Sequence, residues 1–226
     1  CINSKSIDNR VSVFVLLETL RLLKNTEVPY DVYGVFTVQE EVGIRGAIAA
    51  SSGINPDFGI ALDVPRGKVY WADAYLNVIK RANLDGSNVE VIVYTTGDPE
   101  GMLVDSLNEK IYWSTFVSGE IYVANLDGSN VIRLISSPYL GYLEGIALNL
   151  SAGKLYFCEY YQGIIYQANL DGTEIEPLIT GLNRPIGVAY DSVRDKLVWV
   201  SQNDGLLQES DVDGQNITTL VSTIVP

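Results

Sequence analysis

Two spacings of apolar residues divide the chain. From Ile7 to Leu23 the apolar positions include Ile7, Val11, Phe14, Val15, Leu17, Leu20 and Leu22. Many recur three or four residues apart, which predicts a helix buried over most of its surface. Asn25 and Pro29 end it. Asp31 to Val38 then alternates, with β-branched or aromatic residues at Val32, Tyr33, Val35, Phe36 and Val38, and predicts a strand. Gly43 marks a turn, Ile44 to Ser51 reads as an alanine-rich helix, and Gly53 and Pro56 break it before a strand at Phe58 to Val64. Strands joined by helical crossovers predict a parallel sheet here.

From Phe58 onward the spacing becomes an internal repeat. Aromatic pairs stand at Tyr70-Trp71, Tyr112-Trp113 and Tyr156-Phe157, with the degenerate Val198-Trp199, at steps of 42, 44 and 42 residues. Asn-Leu-Asp-Gly at 83–86, 125–128 and 169–172, then Asp-Val-Asp-Gly at 211–214, keeps the same steps. A lysine precedes each pair by two: Lys68, Lys110, Lys154 and Lys196. Each copy divides into four short strands, in the first Phe58–Asp63, Lys68–Asp73, Val78–Asn83 and Glu90–Tyr94. The Asp85-Gly86 turn fits a hairpin, because glycine takes the positive φ of a tight turn. Four antiparallel strands at this period predict a β-propeller blade. Glycines 59, 101, 145 and 187 are expected just before the innermost strand of each copy, where space near the axis is tight. The fold class expected is mainly β: four propeller blades (a partial or open propeller) preceded by a short α/β segment. The boundaries expected are 1–57 for that segment and about 58–99, 100–143, 144–185 and 186–226 for the blades.

Composition narrows the partners. The chain has 226 residues and a net charge of −13. Residues 1–65 contribute −3 and residues 66–226 contribute −10. An acidic surface repels phosphate backbones, so no nucleic-acid partner is expected. No apolar run reaches the roughly 20 residues needed to span a bilayer as a helix. The first residue is Cys1 rather than methionine, which suggests a fragment or a truncated or recombined frame. Cys158 falls within a strand pattern and is expected as a buried free thiol. Asn149-Leu150-Ser151 and Asn216-Ile217-Thr218 are glycosylation-type sequons, meaningful only in a chain secreted by a eukaryote.

Carboxylates carry the candidate chemistry of the front part. Asp8 opens the first helix, Glu40 and Glu41 end a strand, and Asp63 ends the next. Strand ends and helix starts of an α/β sheet meet along one edge, where sites form, and oxygen ligands suit divalent metals. Ordinary capping and solvated acids explain the same residues without a site.

Ser6-Ile7-Asp8-Asn9-Arg10, Phe36-Thr37-Val38-Gln39-Glu40-Glu41-Val42-Gly43-Ile44-Arg45-Gly46-Ala47 and Ile60-Ala61-Leu62-Asp63-Val64 resemble the dinuclear glutamyl and tetrahedral aminopeptidases over residues 3–64. The resemblance implies that Asp8 bridges two metals, that Glu40 is the general base, and that Glu41 and Asp63 are terminal ligands. That family also needs a histidine on each metal, and this chain has none. Three carboxylates could hold one divalent ion, zinc or cobalt, weakly; they do not hold two tightly enough to ionise a bound water near neutrality. No peptidase activity is expected of the chain as it stands.

Val69-Tyr70-Trp71-Ala72-Asp73 and its three copies resemble the YWTD repeat, or LDL-receptor class B repeat, over about residues 58–226. The resemblance implies a non-catalytic module that takes a protein or peptide ligand on a propeller face, outside the cell or at its surface. The aminopeptidase segment implies the cytoplasm instead. Propellers of that family close with six blades, so four leave two apolar faces open: the N-terminal segment covers one of them, or two chains associate, or the sequence is truncated or recombined and the missing blades lie elsewhere. Phe58, Glu100, Glu144 and Ile186, each just before a repeated glycine, are expected to line one mouth of the axial channel. Glu100 and Glu144 would favour a cation or basic side chain there. The aromatic pairs are read as core.

Overall fold

The computed structural model describes the backbone of residues 60–63 and residues 67–222 in full. The expected helices and strand of residues 1–57 lie outside the described residues. Within them the chain is four antiparallel sheets of four strands, each a meander in sequence order. Blade 1 holds β1 (Ile60–Asp63), β2 (Lys68–Asp73), β3 (Val78–Asn83) and β4 (Glu90–Tyr94). Blade 2 holds β5 (Pro99–Asp105), β6 (Lys110–Thr115), β7 (Glu120–Asn125) and β8 (Ile132–Ser136). Blade 3 holds β9 (Leu143–Asn149), β10 (Lys154–Glu159), β11 (Ile164–Asn169) and β12 (Glu176–Ile179). Blade 4 holds β13 (Pro185–Asp191), β14 (Lys196–Ser201), β15 (Leu206–Asp211) and β16 (Thr218–Val221). The disputed strand goes to the propeller: β1 pairs antiparallel with β2, Asp63 opposite Lys68 and Ile60 opposite Trp71.

The aromatic pair explains how the blades stack. Neighbouring residues of a strand point to opposite faces of a sheet. Its first member therefore packs forward and its second backward. Tyr70 of blade 1 shares a core with Trp113 of blade 2. Tyr112 shares one with Phe157 of blade 3, and Tyr156 with Trp199 of blade 4. Trp113, Phe157 and Trp199 are at most 1% exposed. Truncating a buried aromatic of this kind costs about 3–5 kcal/mol.

The innermost strands touch in the order β5, β9, β13. The repeated glycines sit at this contact, but inside those strands rather than before them. Gly101, Gly145 and Gly187 are each the third residue of β5, β9 and β13. The strand begins three residues early because the pairing resumes across a bulge, as between Pro99 and Met102 and between Pro185 and Gly187. A Cβ on Gly101 would lie 2.3 Å from the Glu144 carbonyl oxygen, and one on Gly145 would lie 2.7 Å from the Gly187 Cα. Tightness between inner strands is thus the reason for glycine at these two positions, whereas a Cβ on Gly187 would meet nothing within 4 Å among the described residues.

Candidate functional site

The two ends of the blades differ in kind. At one end lie the turns joining first to second and third to fourth strands. Polar side chains there are used up on the chain itself. Lys68, Lys110 and Lys154 donate to the Oδ1 of Asn83, Asn125 and Asn169 at 2.7, 2.6 and 2.9 Å, and Lys196 pairs with Asp211 at 2.5 Å. Asp127 Oδ1 accepts from both the Ser129 N–H and its hydroxyl, and Asp85 and Asp171 repeat this. The Asp-Gly pairs are therefore parts of six-residue connections held by carboxylate-capped turns, longer than a two-residue hairpin, with Gly86, Gly128 and Gly172 at φ 78, 83 and 82°. Asp105, Asn149 and Asp191 cap the other turns by accepting backbone N–H groups two or three residues on. Asp63 holds the same register opposite its lysine. Asn149 of the first sequon is 2% exposed and bonded to Ser151 and Ala152, so this sequon is closed to a glycan in the folded chain. Asn216 is exposed.

The opposite end collects rings. Phe116 follows β6, Tyr142 precedes β9, Tyr160 and Tyr161 follow β10, and Arg184 precedes β13. Second-to-third and fourth-to-first connections of a meander leave its sheet at one end, so all five residues meet there. Phe116 meets Tyr142 edge-on at 5.0 Å and Tyr160 at 5.8 Å. Tyr161 meets Tyr142 at 4.5 Å and Tyr160 at 4.8 Å. The Arg184 guanidinium lies 5.2 and 5.6 Å from the centres of Tyr160 and Tyr161, within cation–π reach. Arg184 also donates to the Tyr160 hydroxyl at 3.2 Å, and that hydroxyl donates to Gln202 Oε1 at 2.6 Å. Three blades thus hold one cluster, yet Tyr161 stays 59% exposed and Tyr139 beside it 84% exposed. Gln162 ties Tyr139 down, donating from Nε2 to its carbonyl at 2.8 Å.

Glu100, Glu144 and Ile186 are the second residues of β5, β9 and β13, at this same end. Burial, and then the charge of Glu100, pushes the Glu144 carboxyl up to about 8. Glu100 is exposed on the surface, yet desolvation at the mouth and then Asp98 raise it too. At neutral pH the Glu144 carboxyl is therefore held largely protonated. Ile186 belongs with the apolar residues of blade 4, packed against Ala189, Val198, Val200 and Leu207. Phe58 lies outside the described residues. The rings escaped the repeat reading because loop positions vary: Ala74, Phe116, Tyr160 and Gln202 occupy one position of the four copies. That variation, beside core positions that exchange only among similar residues, as at Ile79, Ile121, Ile165 and Leu207, is the signal available.

Asp8, Glu40 and Glu41 lie outside the described residues. Among the described residues no group of three or more His, Cys, Asp or Glu is placed to hold a metal. The donor set implied for the aminopeptidase, Asp8, Glu41 and Asp63 with base Glu40, contains no imidazole in a chain of zero histidines, and does not fit a two-zinc centre. Cys158 is a free thiol with no exposure, its ionisation pushed well up by burial and by Glu144.

Comparison with known proteins finds one likeness in the front part of the chain and another in its β region. Residues 1–79 match the family model of M42 glutamyl aminopeptidase. Lysyl aminopeptidase of Pyrococcus furiosus is 44% identical over 62 residues, 27% of this chain and 17% of that protein. Protein cueball of Drosophila erecta is 42% identical over 62 residues, 26% of this chain and 10% of its own. A chain of the crystallised nidogen/laminin complex superposes with a TM-score of 0.64 at 26% identity, covering 72% of this chain and 64% of that one. The chain thus spans under a fifth of the aminopeptidase it matches and a tenth of cueball. It joins a segment that matches the M42 glutamyl aminopeptidase model to a four-sheet β region that superposes on a chain of the nidogen/laminin complex. The aminopeptidase match extends beyond residue 64, across Lys68–Asp73 and the start of β3, which form strands of blade 1.

Proposed function

We propose that the chain is a non-catalytic binding module that docks a protein or peptide at the ring-bearing end of its blades, with domains 1–57 and 58–226 and blades at about 58–99, 100–143, 144–185 and 186–226. The observation that carries this is the partly exposed cluster of Phe116, Tyr142, Tyr160 and Tyr161 at the same end of the blades as Glu100 and Glu144. Aromatic anchors held rigid by neighbours concentrate binding energy, and a neighbouring acid selects a basic side chain. The nidogen/laminin complex, in which a similar chain was crystallised with a partner, supports the same class of role. The aminopeptidase segment carries an incomplete ligand set and contributes no turnover in this reading.

A displayed library of peptides panned on the chain at neutral pH tests it. Enriched peptides carry an apolar or aromatic residue near a lysine or arginine. Tyr161→Ala weakens a selected peptide by ten- to a hundredfold, and alanine at both Glu100 and Glu144 abolishes its binding. Affinity unchanged in both variants overturns the reading. A second reading, an aminopeptidase fragment that acts on peptide N-termini only when other chains supply histidines, is favoured by the residue 1–79 match. Cleavage of an aminoacyl anilide with added cobalt or zinc, in the presence of a partner chain, would establish it; the first reading expects none from this chain alone.

A further inference from the structure

Toward the turn end, each joint between two blades brings together the first residue of an aromatic pair, the third-strand residue opposite it, and two residues of the next blade. In the joint of blades 1 and 2 these are Tyr70, Arg81, Val104 and Leu126. Arg81 Nε pairs with Glu90 at 2.7 Å, and its Nη1 reaches across to the Leu126 carbonyl at 2.9 Å. In the joint of blades 2 and 3 they are Tyr112, Val123, Leu148 and Leu170, packed into one apolar cluster. A side chain thus bridges the first joint, and apolar packing fills the second. In the joint of blades 3 and 4 the same positions hold Tyr156, Gln167, Tyr190 and Val212. Gln167 Nε2 donates to Glu176 of its own blade at 2.6 Å, as Arg81 does to Glu90, but among the described residues no hydrogen bond from Gln167 crosses to blade 4. The Tyr190 hydroxyl donates to Asp195 Oδ1 at 2.9 Å. Neither device closes this joint, and a cleft of about 430 Å³ opens there. The repeated lysine and asparagine beside it stay matched to each other, Lys154 to Asn169. The cleft comes instead from positions that differ between copies.

The geometry points to this cleft as a binding site for a neutral mono- or disaccharide. Its volume lies in the range of small-molecule sites, roughly 300–1,000 Å³. Its lining alternates donors and acceptors: the hydroxyls of Ser151, Tyr156 and Tyr190, the Gln167 amide, and the carboxylates of Asp195 and Asp213. Such a set matches the hydroxyls of a sugar ring, and the half-buried Tyr190 adds ring surface for its C–H side. An apolar ligand would leave these groups without partners at a cost. An anion is disfavoured, because Lys154 is the single cation of the lining against two carboxylates and is already bonded to Asn169. A cation finds no unmet acid: Asp195 accepts from Tyr190, and Asp213 Oδ1 accepts from the Gln215 N–H at 3.0 Å. Among the described residues no three acids, cysteines or histidines gather to hold a metal. This site stands at the opposite end of the blades from the rings and is independent of what they bind.

Saturation-transfer NMR of the full chain tests this, with the methyl glycosides of glucose, galactose, mannose and N-acetylglucosamine and with maltose, cellobiose and lactose as probes. At least one is expected to show transfer to its ring protons, with an affinity that Tyr161→Ala leaves unchanged. Gln167→Arg copies the Arg81 bridge of blade 1 into the open joint and is expected to weaken that sugar by about tenfold or more. Tyr190→Phe, which removes one hydroxyl and keeps the ring, is expected to weaken it by about three- to tenfold. Absence of transfer to every probe overturns the proposal. So does an affinity unchanged in both cleft variants, or one lost in Tyr161→Ala, which would put the sugar at the rings. Putrescine or inorganic phosphate binding more tightly than every sugar overturns it as well, since the cleft would then select charge.

Discussion

The turn end and the ring end of the same sixteen strands show what separates a scaffold from a site. At the turn end each lysine, asparagine and aspartate of the repeat is matched within the chain, and the four copies spell nearly the same residues. At the ring end the copies diverge, and the side chains that gather there stay partly in water. Repetition is the mark of residues that hold the blade. Divergence at one end of an otherwise uniform repeat marks residues free to serve something outside it.

The sharpest way to test that contrast is at the turn end. Gly128→Ala forces a side chain into φ 83° with its Cβ 2.0 Å from the Ile92 carbonyl oxygen of the preceding blade. Chemical denaturation is expected to give a loss of about 3 kcal/mol or more from strain and overpacking together. Gly86→Ala has the same strain, but its Cβ meets nothing within 4 Å. It is expected to lose only about 1 kcal/mol, and equal losses would mean that the blades do not press on one another as described. Lys110→Met, which breaks the 2.6 Å bond to Asn125, is expected to cost about 1 kcal/mol.

Smaller effects belong to the ring end. The Glu144 carboxyl sits at about 8 in the folded chain against 4.5 when free. A raised carboxyl favours the folded state at low pH, and the benefit is lost as pH rises from about 4.5 through 8. Thermal melts of the chain are expected to fall across that window, and those of Glu144→Gln to fall less. A parallel decline in both would place the titrating group elsewhere. Smallest of all, Tyr161→Ala is expected to move stability by less than about 1 kcal/mol, since the ring is largely solvated, while removing the peptide binding described above.

Much of this was legible beforehand. Lys68–Asp73, Val78–Asn83 and Glu90–Tyr94 were set by the phase between the aromatic pair and the Asp-Gly turn, and the strands begin and end there. The glycines fall three residues further into the strand than the pattern predicts, because a bulge leaves no mark in a pattern of period two. Glu100 and Glu144 are placed near the start of the innermost strands by their position alone. Their protonation cannot be read that way, because it depends on the approach of two inner strands separated by a whole blade. The rings were hidden for the same reason: Phe116 and Tyr160 are 44 residues apart and meet only when two blades stack.

One consequence follows from the hairpin of β1 and β2. The two strands are joined by only four residues, Val64 to Gly67. Closing so short a link loses little chain entropy and happens within microseconds, whereas any pairing of Ile60–Asp63 with a parallel neighbour needs a crossover many times longer. On a chain leaving the ribosome, speed therefore decides the allegiance of a strand that two ancestries could claim, and it is captured by the neighbour that follows it.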